Sequence, residues 1–346
     1  MEVKAVTHGG DWASLDVQTR SQQDLLDLSS SISPYGPGPK ARALWPSLVD
    51  RLHRYPDWRK EQLTGALANH LGIEQDSVLV TAGAMEAIDL VIRAFLPQDV
   101  WVEVPAFSEY EARASVYGIG VKTWQHPNGP GREPGLWFLA NPANPTGRML
   151  THEECRQYVR GPTDFQKITV IDEAFIEFVQ SWHERSFAQE AAHSDYLVVM
   201  GSLTKYYGLA GLRIGFLVAH PRIIRKISRH TTPWHVSLVA QEMALASLAD
   251  QDYFDGARIR LEKERARLIT MLEPFGKIDE TSETNYLLFY PSISVDDLIR
   301  GLKKQGILIR DARNFKGLTS EAVRIAVKKP KDTTRLMHAL EEIYST

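Results

Sequence analysis

The sequence predicts an α/β protein, with a large domain built on a mostly parallel sheet and a smaller α+β domain after it. Three observations carry this. Short apolar, β-branched runs near 78–80, 100–104, 136–140, 168–171 and 196–200 alternate with helical stretches such as Met85–Leu96, the pattern of parallel strands joined by crossover helices. A long amphipathic stretch, about Tyr253–Leu272, interleaves Arg and Glu and reads as a connecting helix. Beyond it, Asn285–Tyr290, a helix around Asp296–Gln305, Ile307–Arg310, Ala322–Val327 and a terminal helix read as a separate mixed unit. At 346 residues the chain can bury one substantial core and a second, smaller one. The expected division is 45–245 for the large domain and 246–346 for the connecting helix and small domain, with 1–44 joining the latter. No internal repeat interrupts this plan, and the one linker-like stretch is Pro127–Gly135.

Composition narrows the classes of function. Forty basic and 43 acidic residues are mixed along the chain, leaving a formal charge of -3 and no basic stripe for nucleic acid. A single cysteine, Cys155, excludes an intrachain disulfide framework and suits a reducing compartment. The first residues, Met1–Leu15, are polar and carry no apolar signal core, and no apolar run is long enough to span a bilayer. The expected address is the cytoplasm, with no membrane partner.

Three strand ends carry chemistry. The run Tyr196–Met200 reads as a buried strand and delivers Lys205 to its carboxyl end, where ligands of α/β sheets collect. A lysine desolvated there, near another cation, becomes a nucleophile toward carbonyls. Ser202, Thr204 and Arg213 have the side chains to hold a phosphate together, with Arg213 supplying a planar fork that matches its oxygens. Gly208, Gly211 and Gly215 allow close approach of backbone. Upstream, Ile168–Ile171 ends at Asp172-Glu173-Ala174-Phe175, and Leu136–Ala140 leads into Asn141-Pro142-Ala143-Asn144-Pro145-Thr146-Gly147. Amide, carboxylate and lysine thus occupy successive strand ends.

In that order the chain resembles the fold-type I pyridoxal-phosphate enzymes of the class I/II aminotransferase family. The resemblance implies that Lys205 bonds the cofactor, that Asp172 partners its ring nitrogen and that Asn144 lies beside its ring hydroxyl. Ser202, Thr204 and Arg213 would hold its phosphate, with the backbone amides of Gly83, Ala84 and Met85 at a helix N-terminus. Phe107 matches the aromatic stacked on the ring. Tyr55, in Arg54-Tyr55-Pro56-Asp57, matches a residue that reaches the phosphate across a dimer interface, so a homodimer is expected. No metal is implied. Arg324 matches the arginine for the substrate carboxylate, and Arg310 beside it would accept a second anion, which implies a phosphorylated amino acid as substrate.

Within the family the chain is similar to the threonine-phosphate decarboxylases of cobalamin synthesis, and next to the histidinol-phosphate aminotransferases. His8-Gly9-Gly10, Phe175 and the stretch from Ile307-Leu308-Ile309-Arg310 to Asn314 carry that likeness. His8 would touch a substrate phosphate. Phe175 stands where aminotransferases of the family usually place a tyrosine. Ser31 and Ser33 replace the family's usual asparagines near the substrate, as His235 and Ser237 replace a serine and an asparagine, and the segment 126–136 is shorter than usual. The expected reaction is decarboxylation of an O-phosphorylated amino acid such as threonine phosphate. Transamination by the same residues stays open, and a ligand-sensing module is the reading from another class.

Overall fold

A computed structural model of the chain describes residues 8–11, 25–127, 133–159, 167–318 and 321–345. Most of the linker-like stretch, residues 128–132, lies outside the described residues, as do 1–7 and 12–24 of the N-terminal segment.

Thirteen strands are found among the described residues. In chain order these are β1 (Leu26–Asp27), β2 (Val78–Thr81), β3 (Asp99–Glu103), β4 (Gly120–Trp124), β5 (Gly135–Ala140), β6 (Lys167–Asp172) and β7 (Leu197–Ser202). They continue with β8 (Gly215–Val218), β9 (Gly276–Asp279), β10 (Tyr286–Pro291), β11 (Ile307–Leu308), β12 (Arg310–Asp311) and β13 (Val323–Ala326). Seven form one sheet in the order β2-β8-β7-β6-β5-β3-β4, parallel except for β8, which runs antiparallel to both neighbours. The five strands read from sequence are all present. The two that were not, β4 and β8, are an edge strand with alternating exposure and a strand that begins inside the glycine-rich run after Lys205.

Strands β6 and β7 are buried along their whole length, because helices cover both faces of the sheet. Register then fixes where the strands end. Ala140 pairs with Asp172, and Asp172 with Met200, so the carboxyl ends of β5, β6 and β7 lie side by side. The helix Ala84–Phe95 buries Ala87, Ile88, Val91 and Ile92 against this sheet, at about 1.5–3 kcal/mol for each large side chain. Gly83 precedes it with φ +86°, a conformation that favours glycine.

A second sheet, β12-β13-β10-β9, is antiparallel throughout. The helix Gln251–Leu272 runs from the first sheet to the second: Arg258 donates to Glu177 O at 2.9 Å and Arg265 to Thr284 O at 3.1 Å. The N-terminal segment joins the C-terminal part of the chain through β1, whose Leu26 and Asp27 pair in parallel with Ile307 and Leu308 of β11. Among the described residues no helix is long and apolar enough to cross a membrane.

Candidate active site

A cavity of about 550 Å3 opens at the carboxyl ends of β5, β6 and β7, between the two sheets. Of the residues singled out from sequence, Lys205, Asp172, Asn144, Ser202, Thr204 and Arg213 line it. So do Ala84, Met85, Phe107, His8, Ser31, Arg310 and Arg324.

Lys205 is partly buried just beyond β7. Burial first, then the charges of Arg324 and Arg213, bring its amine down to about 8, against the pull of Asp172. Asp172 is 8% exposed at the end of β6. Its Oδ1 accepts from Ala174 N–H at 2.9 Å and its Oδ2 from the hydroxyl of Tyr110. Burial nonetheless pushes its carboxyl above the ordinary range, the two hydrogen bonds and Lys205 pulling the other way. Tyr110 was not legible as a site residue. It is buried in the helix Glu109–Val116, stacked on Phe138 of β5 at 4.8 Å, and its only signal in the sequence is its position three residues after Phe107.

The two asparagines of the Asn-Pro run separate by role. Asn141 is wholly buried and spends its side chain on the backbone of Leu150, accepting from N–H at 2.8 Å and donating to O at 3.3 Å. Asn144 faces the cavity, where its Oδ1 accepts from Arg324 Nη1. Ser202 and Thr204 hydroxyls bond each other at 2.7 Å, and Arg213, with φ +53°, bends toward the start of the helix Ala84–Phe95.

Arg310 and Arg324 are direct cross-strand partners in β12 and β13, each 7% exposed and both on the cavity. Arg310 packs over Phe315 at 5.2 Å and donates to Asn314 Oδ1 at 2.9 Å. Arg324 donates to Ser29 O at 2.9 Å, and its Nε is buried without a partner among the described residues. Burial draws its guanidinium down to about 10. Among the described residues no carboxylate lies within ion-pair distance of either arginine, so two like charges stand opposite each other at a cost that a bound anion relieves. His8 closes the mouth from the N-terminal side, 2.9 Å from Glu109 and beside the Phe107 ring.

Some expected residues stand elsewhere. Gly83 bounds the cavity without lining it; a Cβ there would come 3.2 Å from Arg213 Nη2. Ser33 is buried behind the cavity, its N–H on Lys205 O at 2.9 Å and its hydroxyl accepting from Tyr35 N–H. Tyr55 is 80% exposed, outside the cavity, with its ring tilted against Trp234 at 5.0 Å. His235 pairs with Glu86 at 2.8 Å, and Ser237 caps the helix Leu238–Leu248 by accepting from Ala240 N–H, so neither lines the cavity of this chain. No group of three or more His, Cys, Asp or Glu among the described residues is placed to hold a metal.

These residues fit a phosphorylated pyridine. The first amides of the helix Ala84–Phe95 have no intrahelical partners, and Gly83 and Gly215 keep the ground before them open: a Cβ on Gly215 would lie 3.1 Å from Ala84 N. Above them stand a lysine with a lowered amine and a buried carboxylate, on neighbouring strand ends. Fold and site together define a pyridoxal-phosphate-dependent enzyme of fold-type I. The family model for aminotransferase class I and II matches residues 23–340, and the chain belongs to that family.

Its relatives divide between two reactions. Histidinol-phosphate aminotransferase of Methanocaldococcus jannaschii is 27% identical over 341 residues, 93% of this chain and 90% of its own. A Caldanaerobacter subterraneus protein provisionally named a threonine-phosphate decarboxylase is 30% identical over 333 residues, 91% of this chain and 89% of its own. The solved L-threonine-O-3-phosphate decarboxylase of Porphyromonas gingivalis shares the fold, with a TM-score of 0.84 at 24% identity over 93% of this chain and all of that one.

Proposed function

We propose that the enzyme decarboxylates an O-phosphorylated amino acid, with L-threonine O-3-phosphate, giving aminopropanol phosphate, as the first candidate. The observation that carries this is the pair Arg310 and Arg324, buried, in direct register and, among the described residues, without ion-paired carboxylates. Two fixed cations facing one cavity suit a substrate with two anionic groups, a carboxylate and a phosphate.

When bound, pyridoxal phosphate supplies a protonated ring that accepts the electrons left by a bond broken at the substrate's Cα. Lys205, its amine held near 8, is available both to bond the cofactor and to carry a proton to or from Cα. Asp172, oriented by Tyr110 and Ala174, would hold the proton on the ring nitrogen. Arg324, its plane fixed by Asn144 and Ser29, would present the substrate carboxylate; the orientation it sets decides which bond breaks. His8 and Arg310 would take the phosphate.

Phe175 supports decarboxylation over transfer. It lines the cavity, 8% exposed, with its ring edge-on to Tyr286 at 5.0 Å, and brings no hydroxyl to the place where aminotransferases of the family usually have one. The second reading, amino transfer on a phosphorylated substrate, is favoured by the name of the M. jannaschii relative. Purified protein given O-phospho-L-threonine, with and without 2-oxoglutarate, separates them. Carbon dioxide release independent of the keto acid is expected; robust amino transfer without release overturns the proposal, and cofactor binding with turnover of no amino acid points to a ligand-sensing module.

The working unit we infer is a homodimer. Tyr55, Trp234, Leu52 and Trp58 are all about half exposed or more, an apolar set that a second copy would cover. Sedimentation should give twice the 39.1 kDa chain mass, and Tyr55→Ala should loosen the dimer or its cofactor.

A further inference from the structure

The segment Ser30–Ile32 is a three-residue turn, closed by Ile32 N–H on Ser30 O at 2.9 Å, with Ser31 at its centre. Ser31 is 3% exposed and lines the cavity, and its hydroxyl has no hydrogen-bond partner among the described residues. Buried hydroxyls are rarely left unpaired, because desolvation without a partner costs about 1–3 kcal/mol. The turn is clamped from behind by Lys328, just past β13, whose Nζ donates to the carbonyls on both sides of Ser31: Ser30 O at 3.0 Å and Ile32 O at 2.8 Å. Strand β13 presses the preceding residues into place with the same alternation, Arg324 on Ser29 O and Ala326 N–H on Leu28 O, both at 2.9 Å.

Lys328 has no carboxylate within ion-pair distance among the described residues. Burial draws its amine down to about 8, with Asp27 and Asp332 pulling the other way at longer range. A drawn-in cation satisfied only by two carbonyls is an expensive way to hold a turn, since a neutral donor would also bond them. The charge therefore has a use beyond holding the backbone, and the cavity on the other side of the turn is where an anion arrives.

We propose that Lys328 is a positioning residue for substrate recognition: it fixes the turn so that the Ser31 hydroxyl donates to an anionic oxygen of the substrate, and it adds a positive charge within electrostatic range of Arg324. This rests on the proposed reading of the cavity as a site for a doubly anionic amino acid. Lys328 touches neither substrate nor cofactor; it acts through the position of Ser31 and through its charge.

The test joins a readout that needs no substrate to one that does. In Lys328→Met, amide exchange at Ile32 should quicken by roughly tenfold while protection in β6 and β7 stays as in the wild type. Lys328→Arg, which can still fork onto two carbonyls, should restore it. Unchanged exchange at Ile32 overturns the proposal whatever the substrate is. With O-phospho-L-threonine, Ser31→Ala and Lys328→Met should each raise KM by roughly fivefold at little change in kcat, the size of one lost hydrogen bond. The double variant should be no worse than Lys328→Met alone, because Ser31 is already out of position there. Additive effects in the double variant overturn the route through Ser31. If Lys328→Met does not fold, Lys328→Gln, which keeps a donor without the charge, should hold Ile32 protection and still raise KM; an unchanged KM overturns the electrostatic part. A wild type that turns over no phosphorylated amino acid defeats the proposed function, and the exchange result still decides the clamp.

Discussion

The hydroxyl of Tyr110 donates to Oδ2 of Asp172, so a residue of the helix Glu109–Val116 sets the state of the carboxylate at the end of β6. Burial raises the Asp172 carboxyl and the Tyr110 bond is the largest influence lowering it. Tyr110→Phe should therefore leave Asp172 harder to ionise and weaken its hold on a protonated ring nitrogen. Cofactor affinity should fall by roughly 10-fold, one hydrogen bond to a charged group, in a titration of the apoprotein followed by absorbance.

Lys205 sets the pH dependence of loading. Its folded amine is depressed to about 8, so the neutral, nucleophilic form gains population as pH rises through that value. The rate at which apoprotein takes up pyridoxal phosphate should rise between about pH 7 and 9 and then level off. Lys205→Ala should lose the visible absorbance of the loaded protein altogether; a persistent band would mean that another amine bonds the cofactor.

Arg324→Lys tests the planar fork. The guanidinium is tied to Asn144 and Ser29, and an ammonium cannot keep both ties and still meet a carboxylate with two bonds. KM for the amino acid should rise by about 100-fold, a loss of about 3 kcal/mol, with cofactor affinity nearly unchanged.

Phe175→Tyr asks whether one hydroxyl redirects the reaction. The site is tight, so some loss of stability, about 1–3 kcal/mol, is expected. The ratio of amino transfer to carbon dioxide release should increase, and the visible band should shift. An unchanged ratio would mean that Phe175 does not select the reaction.

Stability should respond to pH through Glu173, wholly enclosed next to Asp172. Burial pushes its carboxyl up to about 7, although Phe187 N–H, at 2.7 Å, and the Ser186 hydroxyl both donate to it. A carboxyl raised on folding stabilises the protein below its unfolded value, and that contribution is lost as pH climbs through the folded one. The apoprotein Tm should therefore fall between about pH 5 and 8, and Glu173→Gln should flatten that fall.

What the sequence made legible was the part governed by local rules. Strands β5, β6 and β7 are continuous apolar runs, and the polar residues that end them name the site in order. Strand β8 was hidden because its first residue, Gly215, also belongs to the glycine-rich run that follows Lys205. Strand β4 exposes Gly120 and Lys122 at the sheet edge, so its pattern is that of a polar connection. The side chains that tune the site are a different matter. Tyr110 is 62 positions from Asp172 and Lys328 about 300 from the turn it clamps; no periodicity encodes such contacts. Tyr55 and Ser33 stand apart from the cavity because a motif fixes a residue's place in the chain and leaves the direction of its side chain to packing.

The stretch Ser29–Ser33 holds Lys205 at one end, through Ser33 N–H, and Arg324 at the other, through Ser29 O. Five residues of backbone thus act as a ruler between the amine proposed to work at Cα and the cation proposed to anchor the carboxylate. Adding or removing one residue there would alter the reach of the site while leaving every reactive group intact. On the proposed reading, the length of substrate is set by a segment that forms and breaks no covalent bond, and it is where selection for a longer or shorter amino acid should first leave its mark.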